Sequence, residues 1–142
     1  MKTKDIRINA KLIRSYKPCL NGLKNFNKHY TDISIKQLIN SKKISYDDKV
    51  WLLKRIVNID LLALWAIDNS IASYKNSVCY GVYVAAADSI IDNAADYPEY
   101  ISRFAYYTAA YAASYAASDS ISWNKAKKER LQSLLYFIEN EE

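Results

Sequence analysis

The stretch that most constrains the fold is Tyr97 to Ser118, YPEYISRFAYYTAAYAASYAAS, which holds seven Ala, one Pro and no Gly. Ala is the strongest helix former, and Tyr107, Tyr111 and Tyr115 recur every fourth residue, along one helical face. Ala105, Ala109, Ala112, Ala113, Ala116 and Ala117 fill much of the remaining surface and let neighbouring backbones come close. A helix this smooth needs tight packing to persist in water. The stretch therefore predicts a central helix in an all-α bundle, its Ala positions packed against helices at 61–74 and 78–96. It carries no catalytic group.

The rest of the chain agrees with that class. Only two Gly and two Pro occur in 142 residues, too few for the many tight turns of an all-β fold. With 51% hydrophobic and 25% charged residues, the chain can bury a core and is not of the disordered type. The expectation is a single all-α domain, a multi-helix bundle with Ala/Tyr-rich central helices. Its basic N-terminal helices would span 1–57 and its Ala-rich helical core 58–142.

Charge is unevenly spread. Residues 1–55 hold 14 Lys or Arg against four Asp, whereas 56–124 hold two basic residues against seven acidic ones. Either the two parts complement each other, or a basic face is offered to an acidic partner. A third reading is that the Lys, Asn, Ile and Tyr bias follows from an AT-rich coding sequence. Cys19 and Cys79 are too few for a disulfide framework and lack metal-ligand spacing. The opening MKTKDIRINAKLIRSYK has charges every few residues, unlike a signal peptide, and no long apolar run follows. A cytoplasmic protein with no membrane segment is expected.

In chain order, Ile6 to Tyr16 begins like a strand and ends like a helix, with a short helix favoured over Ala10 to Tyr16. Pro18 suits a helix start, and Cys19, Leu20, Leu23 and Phe26 carry that helix to about His29. Gly22 costs this helix about 1 kcal/mol against Ala, so close packing is expected around it. Ser34 with Gln37 is a capping box, stapled by Ile33 and Leu38, for a helix from Ile35 to about Ser41. Ser45 with Asp48 repeats the cap, and Asp47 and Asp48 suit the positive end of the next helix. That helix carries Val50, Trp51, Leu52, Leu53, Ile56 and Val57 and leaves Lys49, Lys54 and Arg55 for solvent. Asp60 is placed to cap, and Ile59 with Leu64 to staple, an almost wholly apolar helix from Leu61 to Tyr74. A last helix runs from Ser122 to Asn140.

Candidate sites are sparse. Asp47-Asp48 beside Trp51 forms an acidic pair, but without a His, a second pair or a Gly-rich loop it defines neither hydrolysis nor metal chemistry. Asp68, inside the apolar helix, is either a buried anchor, for example to a Tyr hydroxyl, or exposed at the bundle edge. His29 at a helix end and Cys19 near a helix start fit cap and packing roles better than catalysis. Ser34 to Val57 has helix-turn-helix outline, yet Asp47 and Asp48 would meet phosphates with negative charge. No catalytic residue, metal site or cofactor is expected.

Pro18-Cys19-Leu20-Asn21-Gly22-Leu23 with Phe26, then Asp47-Asp48 and Trp51-Leu52-Leu53, resembles the front of small helical proteins of phages and bacterial toxin-immunity loci. Asp60-Leu61-Leu62 with Trp65-Ala66 and Asp68, followed by Ala-rich helices and Glu129-Arg130-Leu131-Gln132, is similar to the immunity-5-like family. The similarity runs from Pro18 to Ile138 through short motifs. It implies a non-enzymatic helical protein that neutralises a protein partner, and supplies no site residues. The resulting expectation is a protein-binding inhibitor or immunity-type protein that occludes a toxin or host defence factor. Partner contact is expected at Asp47, Asp48, Lys54, Arg55, Tyr107, Tyr111 and Tyr115. The alternative is nucleic-acid binding through the basic front, with Tyr16, Phe26, Tyr30 and Tyr46 as stacking groups.

Overall fold

The computed structural model describes residues 1–74 and 123–142. The Ala/Tyr stretch, the helix expected at 78–96, Cys79 and the contact residues Tyr107, Tyr111 and Tyr115 lie outside them. The described residues contain α1 (Ala10–Ser15), α2 (Leu20–His29), α3 (Ile35–Asn40), α4 (Tyr46–Ile56), α5 (Ile59–Tyr74) and α6 (Trp123–Glu139). Helix dominates, as composition predicts.

The all-α expectation needs one addition. Strands β1 (Arg7–Asn9) and β2 (Asp32–Ser34) pair antiparallel, with Ile8 opposite Ile33. Both isoleucines are buried while Arg7 and Asp32 are exposed, so alternation of period two seats the ribbon on the core. The last residue of each strand is also a helix cap. Asn9 Oδ1 accepts from the Leu12 amide at 3.0 Å, and Ser34 forms the expected reciprocal box with Gln37. An N-cap needs extended backbone, so the strand supplies the conformation that starts the helix.

Two other starts follow local chemistry. Ser45 Oγ accepts from the Asp48 amide at 3.1 Å, as expected. Cys19 Sγ accepts from the Gly22 amide at 3.3 Å, a weak thiol cap after Lys17, which holds a left-handed φ of 52°. Serine is a better cap than a thiol, so Cys19→Ser should raise stability by about 0.5–1 kcal/mol in urea unfolding. A loss of stability would show that the sulfur's bulk matters more than its lone pair.

The start of α5 differs from expectation. Asn58 Oδ1, not Asp60, accepts at the N-terminus, from the Asp60 amide at 2.8 Å. The helix therefore begins two residues early, which moves the staple positions to Val57 and Leu62, both buried, and leaves Leu64 46% exposed.

Buried residues from Ile8 to Ile138 form one hydrophobic cluster, so the basic front and the C-terminal helix share a core. Among the described elements, helices α5 and α6 pack most extensively. Trp65 is fully buried between them, and its Nε1 donates to the Arg130 carbonyl at 2.9 Å. One turn on, Asp68 accepts from Arg130 Nη1 at 2.9 Å and from the Ser133 hydroxyl. Asp68 is thus an anchor, to an arginine and a serine rather than a tyrosine, with its side chain still 39% exposed. The chain start is pinned as well: the Thr3 amide donates to Glu141 at 2.7 Å, and its hydroxyl accepts from the Asn58 amide at 3.1 Å.

Candidate functional site

Residues of α2 and α4 line a cleft. Helices α2 and α4 face each other at Gly22, where a Cβ would stand 3.2 Å from Cys19 Sγ and 3.9 Å from an Asp48 carboxylate oxygen. The tight neighbour is thus the cap of its own helix, whereas the approach to α4 is an ordinary contact, and Gly22 lines the cleft itself. The cleft has a volume of about 230 Å³ and is lined chiefly by Pro18, Cys19, Phe26, Trp51 and Leu52, with Asp48 as its charged member.

Helix α4 supplies the rim. Asp48, Trp51 and Arg55 are spaced to lie along one face. The Arg55 guanidinium stands 4.0 Å from the Trp51 ring centroid, and its Nη1 donates to the Trp51 carbonyl at 2.6 Å. Burial pulls the Arg55 pKa down and the nearby Tyr16 pulls it back up, yet a guanidinium stays charged at neutral pH. The exposed cation is thereby held over the indole face. Asp47 and Asp48 are both exposed in the first turn, where the helix dipole favours them.

Of the expected contact residues, Asp48 lines the cleft and Arg55 stacks on Trp51 at its edge. Asp47 and the half-buried Lys54 are not part of the lining.

Lys49 is not in solvent as the sequence reading has it. It is 7% exposed, and its Nζ donates to the carbonyls of Ile39 at 2.9 Å and Ser41 at 2.6 Å. These lie at the C-terminus of α3, where carbonyls lack helical partners and a cation is favoured. Burial lowers the Lys49 pKa. The turn it holds is tied further by the Tyr30 and Ser41 hydroxyls, 2.6 Å apart, and by Asn25 Nδ2, which donates to the Lys43 carbonyl at 2.9 Å. Spacing carried a signal for this residue: 49, 52, 53 and 56 fall on one face with the buried Leu52, Leu53 and Ile56.

No family model, curated protein or solved structure matches this chain. Among the described residues, no group of three or more His, Cys, Asp or Glu is placed to hold a metal. No helix among them is long and apolar enough to cross a membrane. His29 is exposed in the last turn of α2, with its ring 6.3 Å from that of Tyr30. What the cleft provides is a concave apolar surface with an acid inside it and an indole-stacked cation at its edge.

Proposed function

We propose that the chain is a non-enzymatic, protein-binding inhibitor of the immunity type, acting in the cytoplasm by covering a working surface of a toxin or host defence factor. The α2–α4 cleft carries this reading. An apolar pocket bordered by Trp and Arg is the usual composition of an interface hot spot, and charged groups around it steer encounter. An apolar side chain of the partner would enter between Phe26 and Trp51, with a basic group beside Asp48. Exposed lysines of the front would meet acidic partner surface. The resemblance of the Pro18–Phe26 and Asp60–Asp68 motifs to immunity-locus proteins supports the same reading.

Co-expression with the product of the neighbouring gene tests it. The intact chain should co-purify with that product and relieve its toxicity. Trp51→Ala and Asp48→Lys should each weaken capture by about 30-fold, the scale of a hot-spot loss near 2 kcal/mol. Capture unchanged in both variants would overturn the assignment of the cleft, and absence of any captured protein at low salt would overturn the class.

The basic front favours a second reading, nucleic-acid binding. Its stacking set is thinned because Phe26 is only 3% exposed and belongs to the core. A salt-sensitive gel shift at about 50 mM salt would support this reading, and none would end it.

A further inference from the structure

We infer that a second concavity, between the α3–α4 turn and α6, is a binding site for a nucleoside phosphate. Lys42 and Lys49 reach it from the turn and α4, and Lys127 and Lys128 from α6. No carboxylate is among its described lining residues, and its volume is about 570 Å³, within the usual range of small-molecule sites. It shares only Ile44 with the lining of the α2–α4 cleft, so the two can be tested apart.

Four lysines line this one concave site, and a groove lined by one sign of charge concentrates counter-ions. Lysine binds phosphate as a point charge, without the planar match that arginine needs. Lys49 Nζ donates to the Ile39 and Ser41 carbonyls, which fixes its position in the groove wall.

The remaining lining fits the body that carries the phosphate. Tyr46, with Ile44 and Leu131, offers an apolar and aromatic surface for a flat ring. Lys127 Nζ lies 5.5 Å from the Tyr46 ring centroid, so the cationic and aromatic parts adjoin. Gln132 Nε2 donates to Asn40 Oδ1 at 2.8 Å, which holds both amides in place. That bond leaves the Asn40 amino group and the Gln132 carbonyl to pair with a base edge. Inorganic phosphate alone would use the lysines and leave the ring surface and amides idle.

Calorimetric titration of the full chain at low salt tests the site with AMP, adenosine, and a short single strand with or without a 5′-phosphate. AMP should bind about tenfold or more tightly than adenosine, since the phosphate faces the lysines. Lys127→Ala and Lys128→Ala, each with Lys42→Ala, should weaken AMP by a further tenfold or so, whereas Lys24→Ala with Lys28→Ala on α2 should not. These lysines are on the surface of the groove, and unfolding curves confirm that the variants fold. Tighter, equally variant-sensitive binding of the phosphorylated strand would identify its source as a nucleic-acid end; preference for AMP would identify a free nucleotide. No binding of AMP or strand near about 5 mM, or binding unaffected by the groove variants, would overturn the site.

Discussion

Trp65→Ala is expected to lower the unfolding free energy by about 3–5 kcal/mol, a large share of the 5–15 kcal/mol typical of a domain. The indole is fully buried where α5 meets α6, among the same core residues as Leu131 and Leu134, and truncation leaves a cavity that rigid helices cannot close. It also removes the bond from Nε1 to the Arg130 carbonyl, worth about 1 kcal/mol. Trp65→Phe keeps an aromatic ring and loses the bond, so a drop of about 1–2 kcal/mol is expected for it. Urea unfolding followed by far-ultraviolet dichroism gives both values. A loss under about 1 kcal/mol for the alanine variant would mean that α5 and α6 do not meet on this indole.

Lys49→Met should cost about 2–4 kcal/mol, although methionine has similar length and suits a core. The cost arises because two carbonyls at the end of α3 lose a charged donor and gain no other. A pH signature separates this lysine from an ordinary surface one. Burial lowers its folded pKa, so in the alkaline range the folded chain releases a proton that the unfolded chain still holds. The unfolded state then binds more protons, and stability rises with pH between the lowered value and the ordinary lysine value. The stability difference between the wild-type chain and Lys49→Met should therefore grow with pH across that window. A difference that shrinks would mean that an acidic neighbour, not burial, governs the ammonium.

What the sequence shows well is what closes within four residues. The Ser34–Gln37 box and the Ser45 cap depend on neighbours in the chain, and both form where the residues predict them. Asn58 and Asp60 are both cap-type residues two positions apart, and Ile59 between them fits either start. Tertiary burial of Val57 and Leu62 decides for Asn58. The β1–β2 ribbon escapes local reading because three-residue strands carry too few alternations to stand out, and partners 25 residues away set their register. At Lys49 residue type and spacing conflict: charge argues for solvent, spacing for the core, and the core prevails. Asp48 and Arg55 are legible as surface charges, but the cleft beside them is formed by residues of two helices, and no motif announces a cavity.

Hydrogen–deuterium exchange on the full chain, alone and bound to the captured product of the neighbouring gene, tests most directly whether the α2–α4 cleft binds a protein partner. Partner binding through the α2–α4 cleft predicts slowed exchange across Leu20 to Phe26 and Ser45 to Arg55, lost in Trp51→Ala. Slowed exchange elsewhere, with these two segments unchanged, would contradict it.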